Sequence, residues 1–100
     1  MKNLNQIDHI AIQVEDIDRS LKWYEEKFDF EKIYSDDTWA LIKFSNIKLA
    51  LVVKSQHPNH FAILNDKITK DDVDVVEHRD KSISKYIKDI DGNFIELIKY

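Results

Sequence analysis

The first regular pattern of apolar and polar positions lies in residues 7–14, where side chains alternate in character. Ile10, Ile12 and Val14 fall on one side of a predicted strand, while the other side is mixed and carries His9. The aliphatic side is therefore expected to pack on a helix.

A helix is predicted directly after this strand. The acidic run at residues 15–18 favours a helix start, because carboxylates accept unpaired backbone N–H groups and complement the helix dipole. Apolar residues then recur at steps of four, three and four, which forms one helical stripe: Ile17, Leu21, Tyr24 and Phe28. Asp29 is expected in the turn that ends the helix, since Asp tolerates a left-handed conformation.

Three further strands complete the first half of the chain. They are predicted at residues 31–35, 39–44 and 47–53, with a tight turn at Ser45-Asn46. The first half therefore has the order β-α-β-β-β.

A short internal repeat marks the second half. Residues 55–59 form a linker that contains the only Pro, and a new strand begins directly after it. The segment Asn59-His60-Phe61-Ala62-Ile63 repeats the pattern of Asp8-His9-Ile10-Ala11-Ile12. Because a repeat of this kind constrains the architecture, the two halves are expected to be related modules.

The second half is shorter and contains less helix. Residues 66–72 leave room for about two helical turns at most, and residues 73–77 are predicted to be a short strand. Residues 84–88 and 93–100 are predicted to form a hairpin around Asp91-Gly92, where the only Gly of the chain meets a demand for an unusual backbone conformation.

Composition narrows the class of protein. The chain has 100 residues, 43% hydrophobic and 34% charged, which is typical of one globular domain. The net charge of -4 argues against a nucleic-acid partner, and no apolar run has the length of a signal peptide or a membrane span. The absence of Cys excludes disulfides and thiolate metal sites. A cytoplasmic location is the resulting expectation.

Three stretches together resemble the glyoxalase/bleomycin-resistance/dioxygenase (vicinal oxygen chelate) superfamily. They are IDHIAIQVEDIDRSLKWYEEKFDF, NHFAI and YIKDIDGNFIELI. The resemblance implies an α+β, glyoxalase-like fold in a single domain over residues 1–100. Two βαβββ-like modules, at about 5–54 and 59–100 with the second abbreviated, would form a curved mixed sheet that cups one site. It also implies a homodimer.

The same resemblance implies a metal site at His9, His60 and Glu96, with Glu96 also catalytic. The corresponding position of the first module falls at Ala50, which has no ligand atom. Two imidazoles and one carboxylate suit a divalent ion such as Zn, Fe, Mn or Ni, and leave coordination sites for water and substrate.

The residue types leave alternatives open at each position. Taken alone, His9 is better explained as a solvated strand residue, but the recurrence of His in the same context at His60 favours the ligand interpretation. Glu96 lies between apolar neighbours of its own face, Phe94 and Ile98, so its carboxylate needs a partner. Four residues are assigned to substrate binding, although each could instead fill the core or lie in solvent: Gln13, Lys48, Trp39 and Phe94.

The function implied is that of a small-molecule metalloenzyme. Its metal would polarise a bidentate oxygen substrate in lyase, isomerase, transferase or dioxygenase chemistry. The alternative is a metal-free small-molecule or antibiotic binding protein like the bleomycin-resistance proteins, which the acidic balance and aromatic residues also fit.

Overall fold

The computed structural model describes residues 3–100, which contain eight strands and one helix and form an α+β fold. The elements in chain order are β1 (Ile7–Val14), α1 (Ile17–Lys27), β2 (Glu31–Ser35), β3 (Trp39–Lys43), β4 (Lys48–Val53), β5 (His60–Leu64), β6 (Val76–Glu77), β7 (Ile83–Lys88) and β8 (Phe94–Lys99). Within these residues no helix has the length and apolar character that a membrane span requires.

Residue contacts divide the chain into two compact units. The helical unit comprises His9–Asn59, and the strand unit comprises His60–Tyr100 together with the N-terminal segment up to Asp8. The helical unit has the strand order β2-β3-β4-β1, in which β1 and β4 are parallel and the other pairs antiparallel. This is the predicted β-α-β-β-β order.

The helix begins where the acidic run predicted it. Asp16 is the N-cap, and its carboxylate accepts a hydrogen bond of 2.8 Å from the Arg19 backbone N–H. Ile17 and Leu21 are buried on β3 and β4, and Ile12 and Val14 pack against the same cluster. The expectation that the aliphatic side of β1 packs on the helix is therefore confirmed for Ile12 and Val14, whereas Ile10 is exposed. Phe28 lies just past the last helical residue and is half-exposed.

The opposite face of the helical unit has its own small apolar cluster. Ala11, Ala50 and Val52 are buried there, and Trp39 and Leu41 pack against them. Two Ala side chains leave this face flat, because neither projects beyond a methyl group.

The strand unit repeats the pairing of the helical unit without its helix. Its strand order is β5-β8-β7-β6, with β5 and β8 parallel and the other pairs antiparallel. Each unit thus has a parallel pair whose first strand begins with the repeated His segment, β1 with β4 and β5 with β8. The internal repeat read from the sequence corresponds to this shared pairing.

The segment between β5 and β6 contains turns and no helix. The Thr69 backbone N–H donates to the Asp72 carboxylate, and the Asp72 N–H donates to the Thr69 carbonyl oxygen. These local bonds compete with helical ones, so the two helical turns that the sequence left room for do not form. The strand predicted at 73–77 shortens to Val76–Glu77, because Asp74 adopts a positive φ of 66°.

The hairpin of β7 and β8 is confirmed, with a five-residue loop. Gly92 has a φ of 87°, the left-handed region that favours glycine. The Asp89 carboxylate organises the loop by accepting hydrogen bonds from the backbone N–H groups of Asp91 and Asn93. The loop therefore holds β8 in a fixed register with β7.

Candidate functional site

A buried histidine–carboxylate pair is the central feature of the strand unit. The Nε2 atom of His60 lies 3.4 Å from the Oε1 atom of Glu96. The two side chains are 3% and 10% exposed. Since a carboxylate buried on an apolar face requires a partner, this pair explains how Glu96 is tolerated there.

The register of the parallel strands brings these two side chains together. His60 is the Cα partner of Phe94, and Ala62 is the Cα partner of Glu96. Side chains two residues apart share a face of a strand, so Glu96 lies diagonally across from His60 on the same side of the sheet. Ala62 is fully buried and projects only a methyl group, which leaves room for the diagonal contact.

Tyr86 is a third member of this group. It is the Cα partner of Glu96 on β7, and its hydroxyl lies 3.5 Å from the Nε2 atom of His60. Its ring meets the imidazole edge-on, with 5.0 Å between the ring centroids. Burial raises the pKa of Tyr86 above its ordinary value, and the negative charge of Glu96 raises it further. The hydroxyl therefore keeps its proton and remains a hydrogen-bond donor.

The sequence marks no role for Tyr86. The available signal was the period of two along β7, combined with the hairpin around Asp91-Gly92. The predicted strands at residues 84–88 and 93–100 leave a loop of four residues, whereas the loop has five. This difference changes which β7 residue lies opposite Glu96, so the contact required the structure.

Phe94, predicted to bind substrate, lies beside the pair. It is half-buried on the same face as Glu96, and its ring centroid is 6.0 Å from that of Tyr86. The ammonium group of Lys88, its Cα partner on β7, lies 5.1 Å from the Phe94 ring centroid. The pair is therefore flanked by an aromatic ring and a positive charge.

The other predicted residues share one face of the helical unit. His9 and Lys48 are Cα partners on β1 and β4, and both are half-buried. Trp39 lies against Tyr34, with 4.7 Å between ring centroids. Gln13 is tied to the linker, because its amide donates to the His57 carbonyl oxygen at 2.9 Å and its backbone N–H donates to Asn59 Oδ1 at 2.7 Å.

The strand registers locate the counterpart of Glu96 in the helical unit. Ala50 is the partner of Ala11, two residues after His9, just as Glu96 is the partner of Ala62, two residues after His60. This supports the alignment made from sequence. The helical unit therefore lacks a carboxylate at the position where the strand unit has one.

The remaining histidine of the strand unit serves an edge hairpin. The Nε2 atom of His78 lies 2.8 Å from the Ser84 hydroxyl, and the His78 backbone N–H donates to the Ser82 carbonyl oxygen. These contacts close the turn between β6 and β7.

The donor atoms of the buried pair fit a divalent metal. An imidazole nitrogen and a carboxylate oxygen are ligands that Zn, Fe and Mn accept, and both already lie in a largely dry environment. The Tyr86 hydroxyl next to them is a group that can donate a hydrogen bond to an oxygen of a bound molecule.

Comparison with known proteins agrees with this architecture. A family model described as the Glyoxalase/Bleomycin resistance protein/Dioxygenase superfamily matches residues 6–74. Comparison with curated proteins found no match.

Several solved structures share the fold at low sequence identity. A hypothetical protein from Bacillus halodurans is 15% identical, with a TM-score of 0.75 over 98% of this chain and 96% of that one. A superfamily member from Vibrio splendidus 12B01 is 11% identical, with a TM-score of 0.68 over 97% of this chain and 100% of that one. A hypothetical protein from Staphylococcus aureus is 11% identical with a TM-score of 0.64, and the match covers 96% of this chain and 34% of that longer one.

Proposed function

Because the chain belongs to the glyoxalase/bleomycin resistance protein/dioxygenase superfamily, we propose that it is a small-molecule metalloenzyme with a divalent metal held by His9, His60 and Glu96. The observation that carries the proposal is the buried His60–Glu96 pair. An imidazole and a carboxylate on a largely apolar face have little structural use that apolar side chains would not serve as well. A shared ion gives both groups a role.

His9 is proposed as the third ligand on two grounds. The residue before it, Asp8, belongs to the strand unit and accepts a hydrogen bond of 2.6 Å from the Tyr100 hydroxyl. The Gln6 carbonyl oxygen accepts a hydrogen bond from the Leu64 backbone N–H of β5. The residues that lead to His9 are therefore anchored to β5 and to Tyr100, which follows β8. His9 also has the same place in the repeat as His60.

The proposed ligands and their neighbours define what such a site would do. His9, His60 and Glu96 would hold the ion, and the ion would supply Lewis acidity to oxygens of a substrate. Tyr86 keeps its proton and can donate a hydrogen bond towards an oxygen that gains negative charge. Glu96, as ligand and catalytic carboxylate, would offset one of the two positive charges of the ion. Phe94 covers one side and limits the access of water.

The specific reaction among lyase, isomerase, transferase and dioxygenase chemistry stays a prediction. Ala50 weakens the analogy with members that use four protein ligands, because no carboxylate occupies that position. A second candidate is a metal-free binding protein, which the contact of Trp39 with Tyr34 favours by offering an aromatic surface. Homodimer formation and a cytoplasmic location also remain predictions, and light scattering at micromolar concentration tests the first of them.

The proposal is tested by metal binding. Untagged protein is stripped with a chelator and titrated with Zn, Mn, Fe and Ni by calorimetry. One ion per chain is expected, with an affinity at least about 100-fold lower in Glu96→Ala, because loss of a ligand exceeds the usual effect of a residue that only orients one. Glu31→Ala removes an exposed strand carboxylate and serves as the control.

Two results would decide against the enzyme. Absence of a stoichiometric ion, or binding unchanged in Glu96→Ala, rejects the metal site. Binding of a cationic aromatic drug by the metal-free protein, followed by Trp fluorescence, would then support the second candidate.

A further inference from the structure

One face of the strand unit extends the His60–Glu96 pair with a ring and a cation. His60, Phe94 and Lys88 are successive Cα partners across β5, β8 and β7, so their side chains form one row on the same face. Glu96 and Tyr86 form the next row. Rows on one face are two residues apart, about 7 Å along the strand. The Lys88 ammonium group therefore lies within reach of a small molecule held at the pair.

The Phe94 ring holds the Lys88 side chain at this position. The ammonium nitrogen lies 5.1 Å from the ring centroid, within the range of a cation–π contact. Phe94 in turn packs edge-on against Tyr86, which contacts His60. A chain of ring contacts thus connects the exposed cation to the buried pair.

The two other lysines of these strands lie on the opposite face. Lys85 on β7 and Lys99 on β8 are each an odd number of residues from Lys88 and Glu96, respectively. The positive charge that Lys88 contributes is therefore directed to the same side of the sheet as the pair. A negative charge brought to this side is stabilised by Lys88 and repelled by Glu96.

We propose that Lys88 and Phe94 form a subsite for a carboxylate of the substrate. The substrate is then a molecule that chelates the metal through two oxygens and has one carboxylate about 7 Å away from them, the spacing of one row. The inference rests on the proposed function, because the chelating end is held at the metal site. A single ammonium group matches one negative charge. The Phe94 ring packs on the short carbon chain that joins the two ends.

The test compares two chelators that differ only in the carboxylate. Butyrohydroxamate and succinic acid monohydroxamate share the same bidentate oxygen group, and the second has a carboxylate where the first has a methyl group. Each is titrated into cobalt(II)-loaded protein, and binding is followed by the visible absorption bands of the ion. The variants are Lys88→Gln and the matched control Lys85→Gln, which removes the same charge from the opposite face of the same strand.

The carboxylate is expected to strengthen binding about fivefold to tenfold at low salt, as for a partly exposed charge pair. Lys88→Gln is expected to abolish this preference, Lys85→Gln to preserve it, and 0.5 M salt to reduce it because exposed charges are screened. Equal binding of both hydroxamates, a preference that survives in Lys88→Gln, or an equal loss in both variants overturns the subsite and leaves the metal site standing. If cobalt does not bind, or neither hydroxamate alters its bands, the proposed function itself fails.

Discussion

The Tyr86 phenol shows how position within a sheet changes the chemistry of one side chain. Burial and the neighbouring Glu96 carboxylate both raise its pKa, because each disfavours the phenolate. The same residue in a solvated strand would titrate near its ordinary value of 10.0. At any pH where the metal site would operate, Tyr86 is therefore a donor and not a base.

The alkaline titration of Tyr86 is predicted to lag behind that of an ordinary tyrosine. Its folded pKa exceeds the unfolded value, so the stabilisation that it contributes is fully present below about pH 10 and is lost as the pH rises further. Absorbance at 295 nm should show two late-titrating tyrosines, because burial and the Asp8 carboxylate also raise the pKa of Tyr100. Tyr86→Phe should remove one of the two, and Glu96→Gln should shift the Tyr86 titration to lower pH. Ionisation of all four tyrosines in one step near pH 10 would contradict the prediction.

Single residues of the site differ in how far the sequence revealed them. The family resemblance implies His60 and Glu96 as ligands, and the sequence supports each by its position, a His in a repeated strand and a carboxylate on an apolar face. Tyr86 carries no anomaly of its own. Its role depends on which residue lies opposite it, and that register is a property of the folded hairpin.

At the scale of elements, the sequence predicts correctly where an apolar pattern continues over several turns, and it predicts poorly where a segment is short. The helix was predicted at its N-cap because Asp16 precedes a stripe that returns every three or four residues. The conformation of the segment after β5 was not predicted, because its few polar residues are compatible with several kinds of turn. The hydrogen bond to the Asp72 carboxylate stabilises one of them. Ile68 is buried there and anchors the segment without a regular element.

The β7–β8 loop should be sensitive to the one backbone position that requires glycine. At Gly92 an added Cβ meets no atom within 4 Å, so any cost of Gly92→Ala arises from the φ of 87° and not from crowding. We expect Gly92→Ala to lower the free energy of unfolding by about 1 kcal/mol, because a left-handed conformation is unfavourable for L-residues. Gly92→Asn should lose less, since Asn tolerates this region better.

Urea denaturation with a common slope measures both changes. Because this loop sets which β7 residue faces Glu96, a fall in metal affinity larger in Gly92→Ala than in Gly92→Asn would show that the loop also holds the site. Equal stability of Gly92→Ala and the unaltered protein would rule out the strain argument.

At the scale of the whole molecule, the chain is a repeat whose copies have diverged in chemistry. Both units pair their His-bearing strand in parallel with their last strand, in the same register. The strand unit has a carboxylate at the second position of that register, and the helical unit has Ala50 there. The helical unit retains a helix and an apolar cluster of buried residues, whereas the strand unit retains the buried polar pair.

The equivalent positions of Ala50 and Glu96 predict the effect of placing a carboxylate at residue 50. Ala50 is 4% exposed, so without metal Ala50→Glu buries an unpaired acid and should lower the free energy of unfolding by about 2 kcal/mol or more. If His9 contributes to the metal site, the new carboxylate lies one row from a ligand, as Glu96 does from His60. Divalent metal should then bind about tenfold or more tightly and restore the lost stability, because ligand binding to the folded state alone stabilises it.

Ala50→Leu adds similar bulk without a ligand atom and separates crowding from coordination. Both variants are compared by thermal unfolding in chelator and in saturating zinc or manganese. A metal-dependent rise in the midpoint that is larger in Ala50→Glu than in Ala50→Leu supports a fourth ligand position that the first copy has lost. An equal rise in both variants would mean that the shared register does not extend to metal binding, and the Ala50 position would then be a matter of packing alone.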